Sequence, residues 1–67
     1  MERINPNNLE KGDVFVEEGR SDERHEVVEF TTINGCAGVI GENIETGETE
    51  EFGGPLAFRG PLFLVEA

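Results

Sequence analysis

The sequence has no tryptophan or tyrosine, and it contains only one cysteine, one histidine and one lysine among 67 residues. A single cysteine excludes an intramolecular disulfide framework. A pair of carboxylates that hydrolyses glycosides needs a sugar cleft, and the chain lacks the Trp and Tyr platforms with which to build one. No apolar run approaches the length of a membrane span. These absences exclude several common classes of small protein.

Basic residues are also scarce, with five Lys and Arg against fifteen Asp and Glu and a formal net charge of −10. Neutralising phosphates requires Lys and Arg, so we expect no direct binding of nucleic acid. An anionic membrane surface would repel the chain as well. The expected partner is a protein with a basic surface, such as a nucleic-acid-binding complex. Solubility or adaptation to high salt would produce the same composition, and both explanations stay open.

The length predicts one small domain over residues 1–67 with a small core. A chain this short has little room for both a core and a shaped catalytic pocket, so we expect no enzyme. Met1 is followed by charged and polar residues instead of an apolar segment, so we expect no secretory signal and a cytoplasmic location. Monomer and homodimer are both compatible with the sequence.

Apolar stretches separated by turn residues predict an all-β fold. Residues 5–12 form a short N-terminal turn in this interpretation, anchored by Leu9. Strands are predicted at 13–17, 25–33, 37–44, 48–52 and 62–65, connected by a polar loop at 18–24, a hairpin turn at Asn34-Gly35, a turn at 45–47 and Gly-Pro turns at 54–55 and 60–61. The expected architecture is a small antiparallel curled sheet or an SH3-like barrel of four or five short strands.

Two segments carry a resemblance to SH3-like barrels. The opening run Leu9-x-x-Gly12-Asp13-Val14 and the closing run 62–65, Leu-Phe-Leu-Val, are similar to the first and last segments of many such barrels. The resemblance implies an architecture and no functional residues. The closing run is apolar on both sides, which fits either a core strand or an exposed interface.

The alternation in the longest predicted strand assigns its side chains to two faces. Val28, Phe30 and Thr32 share one face, whereas Val27, Glu29, Thr31 and Ile33 share the other. The glycines of the returning strand, which include Gly38 and Gly41, indicate bulges or a tight bend in that strand.

His25 and Cys36 are the obvious candidates for a base and a nucleophile. They fall at opposite ends of the predicted hairpin, about 26 Å apart for a strand of this length, so nucleophilic catalysis is not expected. We expect His25 to face solvent and Cys36 to be buried or half-buried. No helix follows the glycines of 35–41, and no histidine or calcium-loop spacing accompanies the carboxylates, so we expect neither a cofactor nor a metal.

The acidic residues are concentrated in two stretches. Residues 42–51 contain five Glu and no basic residue, and residues 17–29 contain six acids against Arg20 and Arg24. Like charges on neighbouring strands destabilise a sheet, so their concentration favours a functional use. The predicted partner-binding residues are Glu26, Glu29, Glu42, Glu45, Glu48, Glu50 and Glu51.

In size, charge and compactness the chain resembles the small acidic inhibitors that phages and mobile elements encode, including anti-CRISPR proteins. This resemblance implies a non-enzymatic inhibitor or decoy, a nucleic-acid mimic that occupies a basic nucleic-acid-binding site on its partner. The alternative is an SH3-like adapter or a small phage structural protein that binds through apolar residues such as Phe58, Phe63 and Leu64.

Overall fold

The computed structural model describes residues 2–5, 8–53 and 62–66, and these residues form strands and turns with no α-helix. The all-β prediction is confirmed. None of the described segments is a helix of the length and apolarity needed to cross a membrane. The strands are β1 (Glu2–Ile4), β2 (Val14–Glu17), β3 (Arg20–Ile33), β4 (Cys36–Asn43), β5 (Thr49–Gly53) and β6 (Leu62–Glu66).

The six strands form one sheet in the order β1-β6-β2-β3-β4-β5, and all neighbours are antiparallel. The sheet is curled but not closed, since β1 and β5 do not pair with each other in the described part of the chain. Of the two expected architectures, the structure therefore has the curled sheet. The structure has one strand more than the four or five that were predicted, and this additional strand is β1. It is too short to show a periodic pattern and is defined only by its pairing with β6.

Two of the predicted turns are confirmed. Asn34 and Gly35 have φ values of 51° and 83°, which suit a two-residue type I′ turn between β3 and β4. Between β4 and β5, Gly47 has a φ of 80° and its amide donates to the Asn43 carbonyl at 2.8 Å. The hairpin geometry is thus encoded locally by residues that tolerate positive φ.

The predicted polar loop at 18–24 is wrong. A two-residue turn, Glu18-Gly19, connects β2 to β3, and Gly19 supplies the required positive φ of 86°. Arg20 already pairs with Glu17, so β3 begins five residues before its predicted start at His25. Residues 20–24 are all polar or charged, so this part of β3 has no apolar alternation that would indicate a strand.

The core is a single cluster packed against the curled sheet. Its buried cluster contains Leu9, Phe15, Val27, Val39, Phe52 and Leu62, with Ile4 and Leu64 packed against it. Leu9 is 3% exposed and anchors the N-terminal turn, as expected. Strand β6 lies between β1 and β2, so the closing apolar run is an internal strand and not an exposed edge.

A bulge in β3 changes the predicted assignment of faces. The register shifts between Val27 and Glu29, so Val27 is buried whereas Glu29 is exposed, and the prediction that they share a face is wrong. The irregularity expected at the β4 glycines lies in this partner strand. Gly41 makes room for packing instead, because a Cβ there would lie 2.8 Å from Phe15 Cζ and 3.1 Å from Phe52 Cε2.

Some predictions fall outside the described residues. These are the Gly-Pro turns at 54–55 and 60–61, and Phe58 as an apolar contact residue.

Candidate acidic interface

Six of the predicted binding residues lie in the β4–β5 turn or on the side of β3, β4 and β5 that faces away from the core. We call this surface the acidic face, and its members are Glu26, Glu29, Glu42, Glu45, Glu48 and Glu51. The register creates two rows that cross β3, β4 and β5 in that order. One row is Glu26, Glu42 and Thr49, and the other is Glu29, Ile40 and Glu51. The rows face away from the core, since the intervening positions Val27 and Gly41 are buried.

The pair Glu26 and Glu42 is the centre of the acidic face. Directly opposed residues of antiparallel strands have Cβ atoms about 4.5–5.5 Å apart. Neither carboxylate forms an ion pair within residues 2–5, 8–53 and 62–66. Arg24 lies two residues before Glu26 on the same side of β3 and is exposed, but it does not bridge the pair. Two like charges therefore lie side by side on the sheet.

The β4–β5 turn adds further carboxylates at one end of this pair. The Oε2 atom of Glu42 lies 3.9 Å from the position that a Cβ would take at Gly47, so its carboxylate approaches the turn. The Asn43 Oδ1 atom accepts hydrogen bonds from the amide of Glu45 at 2.8 Å, and Thr46 Oγ1 accepts one from the amide of Glu48 at 3.2 Å. These bonds order the turn backbone while both Glu side chains stay exposed.

Glu29, a member of the acidic face, forms an exposed ion pair with Lys11. Lys11 Nζ lies 3.3 Å from Glu29 Oε1, but these side chains are 60% and 61% exposed. An ion pair this exposed contributes little and is screened by salt. Lys11 can therefore be displaced from Glu29 by a partner at small energetic cost.

Glu50, the seventh predicted residue, lies on the opposite side of β5 and belongs to a separate ionic cluster. Arg20 Nη1 donates to Glu17 Oε1 and Glu50 Oε2, both at 2.9 Å, while Nη2 donates to Glu50 Oε1 at 2.9 Å and Glu23 Oε1 at 3.0 Å. We call these four residues the Arg20 cluster. The hydrogen bonds to Glu50 and Glu23 raise the pKa of Arg20 above its ordinary value. The structure thus separates Glu50 from the acidic face.

His25 is buried next to this cluster, so the prediction that it faces solvent is wrong. It is 3% exposed, and its ring centroid lies 5.9 Å from that of Phe15 and 4.9 Å from that of Phe52. Its Nε2 is 3.9 Å from Glu50 Oε1, and its Nδ1 has no hydrogen-bond partner in the described structure. His25 is buried because it shares the core side of β3 with Val27 and lies opposite Phe15 of β2.

Cys36 is exposed beside the Asn34-Gly35 turn, which corrects the prediction of a buried or half-buried thiol. It pairs with Ile33, whereas His25 pairs with Asn43. The two residues thus lie at opposite ends of the hairpin, as predicted, and cannot act together. Among the described residues, no group of three His, Cys, Asp or Glu side chains is arranged to hold a metal ion.

Sequence reasoning missed the Arg20 cluster, although its local part has a visible signal. Glu17, Arg20 and Glu23 are spaced three residues apart around the turn glycine, Gly19. A two-residue turn at Glu18-Gly19 would have brought Glu17 and Arg20 together. Glu50 lies thirty residues from Arg20, and no local pattern predicts that contact.

The apolar alternative also has a structural counterpart. An open depression of about 310 Å³ lies near the β2–β3 turn and is lined by residues that include Val16, Phe63 and Ser21. Phe63 is half-buried there, whereas Leu64 packs against the core.

No protein-family model matches the chain, and no curated protein or solved structure matches it closely enough to indicate a relationship. Its function is therefore inferred from its own geometry and charge.

Proposed function

We propose that the protein is a non-enzymatic inhibitor or decoy whose acidic face occupies a basic nucleic-acid-binding site on a protein partner, as anti-CRISPR-like nucleic-acid mimics do. The observation that supports this most is the direct opposition of Glu26 and Glu42 on adjacent strands. Like charges in that position destabilise a sheet by about 0.2–1 kcal/mol. A small domain that keeps such a pair gains nothing from it in folding.

The spacing of the carboxylates suits a basic groove. Glu26 and Glu42 are one strand spacing apart, about 4.7–4.9 Å, and Glu42 extends towards the turn that carries Glu45 and Glu48. Neighbouring charges therefore lie within one Debye length, about 8 Å at physiological salt. They act on a partner as one negative surface, which accelerates association and complements arginine side chains.

The acidic face is also held in place by the backbone. Its strand residues belong to the antiparallel ladders of β3, β4 and β5, and the turn is ordered by the Asn43 and Thr46 side chains. A preorganised surface loses less conformational entropy on binding. This supports a rigid mimic more than a flexible acidic tail.

The test compares two variants with the same net charge. Glu26→Gln/Glu42→Gln and Glu10→Gln/Glu18→Gln each change the formal charge from −10 to −8, but the second pair is exposed and lies outside the acidic face. A protein captured on the immobilised wild-type chain is identified, and its complex with labelled double-stranded DNA or RNA is titrated with each variant at low and high salt.

We expect the wild-type chain to displace the nucleic acid, and the Glu26/Glu42 variant to associate about three- to tenfold more slowly at low salt. The Glu10/Glu18 variant should stay close to wild type. Equal effects of the two variants, or competition independent of salt, would contradict the proposal.

The second candidate is an adapter or small structural protein that binds through the depression lined by Val16 and Phe63. In that case Phe63→Ala would abolish capture of the partner, while the Glu26/Glu42 variant would bind it as the wild-type chain does. The same capture experiment distinguishes the two functions.

A further inference from the structure

Strand β3 extends beyond its neighbour β2, and none of the described strands pairs with that side of its last residues. The last pair between them is Val14 with Glu26. The chain then turns away at Gly12, whose φ is 94° and whose amide donates to the Val27 carbonyl at 3.0 Å, while the Val27 amide donates to Asp13 at 2.9 Å. From residue 28 to residue 33, β3 pairs only with β4 among the described residues.

The register identifies which backbone groups are open. In a two-residue hairpin the residues that flank the turn, Ile33 and Cys36, exchange hydrogen bonds, and bonded and non-bonded pairs then alternate along the strands. Thr32 and Phe30 therefore occupy non-bonded positions towards β4. Their N–H and C=O groups point away from β4, towards the position that β2 would occupy if it continued alongside β3. In the described part of the chain, two donors and two acceptors along this edge therefore have no strand beside them.

The side chains of residues 28–33 include few of the features that prevent an edge strand from pairing with another chain. Natural sheets shield such strands with lysine, proline or short length, but residues 28–33 contain neither Lys nor Pro. Val28 is 37% exposed and Phe30 is 50% exposed. Glu26 and Glu29 lie on the same strand, so the open edge combines apolar contact area with the acidic face.

We propose that residues 28–33 of β3 accept an extended, lysine- or arginine-bearing strand of the partner by β-augmentation. The proposal deepens the function proposed above and rests on it, because it states how the basic partner is held. Backbone bonds to Phe30 and Thr32 would provide affinity, and Glu26 and Glu29 would select a basic strand. A second copy of this chain is disfavoured, since two chains of charge −10 would bring their acidic faces together.

The first test uses the wild-type chain and a synthetic eight-residue peptide of alternating valine and lysine. Amide exchange and chemical shifts of the ¹⁵N-labelled chain are followed by NMR during titration. We expect the amides of Phe30 and Thr32 to become protected by about tenfold or more. A valine–glutamate peptide should not bind. Two further peptides carry N-methyl groups on either the odd or the even residues. We expect one of them to bind about tenfold more weakly, because its blocked amides face β3, and the other to bind as the unmethylated peptide does.

The second test removes one open donor from the protein. Thr32→Pro deletes an amide that points away from β4, towards the proposed peptide strand, and leaves the bonds to β4 in place. Thr32→Val keeps this amide. We expect Thr32→Pro to bind the peptide about tenfold more weakly and Thr32→Val to stay within about twofold of wild type. The NMR spectrum of each variant checks the fold. If Thr32→Pro unfolds, the N-methylated peptides decide the question on the wild-type chain.

Three outcomes would overturn the proposal. The first is that the peptide does not increase the protection of the Phe30 and Thr32 amides, and the second is that the two N-methylated peptides bind equally. The third is that these amides are protected by self-association of the chain without peptide. The proposed function fails separately. If the chain displaces nucleic acid from its partner and the displacement depends on Glu26 and Glu42 but not on Thr32, the acidic face stands and the edge proposal is wrong.

Discussion

Replacing Arg20 by methionine should destabilise the fold more than any other single loss of positive charge among the described residues. Its guanidinium makes four hydrogen bonds to Glu17, Glu23 and Glu50. Methionine keeps an unbranched side chain of similar reach but donates nothing. The carboxylates of Glu17 and Glu50 would then lie near each other without the cation between them.

The magnitude follows from the burial of each partner. Hydrogen bonds to charged groups contribute about 1.5–3 kcal/mol when they are shielded from water. The side chain of Glu17 is 8% exposed, but those of Arg20, Glu50 and Glu23 are 33%, 31% and 44% exposed, so screening reduces their share. Removing one partner also leaves a buried charge behind. We expect a loss of about 2–3 kcal/mol in the free energy of unfolding.

The assay is urea denaturation followed by far-UV circular dichroism, because the chain has no Trp or Tyr for fluorescence. Arg24→Met is the matched control, since Arg24 is exposed on the same strand and its loss changes the net charge equally. We expect the control to change stability by no more than about 0.5 kcal/mol. Adding Glu17→Gln and Glu50→Gln to Arg20→Met should recover part of the loss, because the two like charges that Arg20 had held together no longer repel each other.

Equal midpoints for Arg20→Met and Arg24→Met would show that the Arg20 cluster contributes nothing to stability. A failure of the two Gln substitutions to recover any stability would show that Arg20 acts through packing of its stem and not through its charge.

Two further predictions concern the sheet itself. Gly41→Ala should lower the free energy of unfolding by about 1–3 kcal/mol, because the new Cβ would lie 2.8 Å from Phe15 Cζ within the core; an unchanged urea midpoint would contradict this. Glu26→Lys should instead raise stability by about 0.2–1 kcal/mol, because it places an opposite charge beside Glu42. The same variant should bind the partner more weakly. If it gained stability and bound the partner as the wild-type chain does, the Glu26–Glu42 pair would have no role in binding.

The sequence alone determined the elements whose cause is local. Asn34-Gly35 encodes a tight hairpin because both residues tolerate positive φ, and Gly47 does the same for the next turn. The β-forming residues of 13–17 and 37–44 predicted strands close to those observed. Leu9 was identified as the anchor of the N-terminal turn because it is the only large apolar side chain there. The concentration of Glu in residues 42–51 was also visible in the sequence, but only the bulge between Val27 and Glu29 places Glu26 and Glu29 on the same side of β3.

Tertiary structure decided the positions that depend on partners distant in the chain. Glu50 was predicted to belong to the acidic face, but Arg20, thirty residues away, binds its carboxylate on the other side of β5. His25 was predicted to face solvent, but its ring is buried against those of Phe15 and Phe52. The bulge after Val27 reverses the expected sides of β3. Each outcome depends on which strands pair and where the ladder shifts, and the two-residue alternation of a single strand does not specify either.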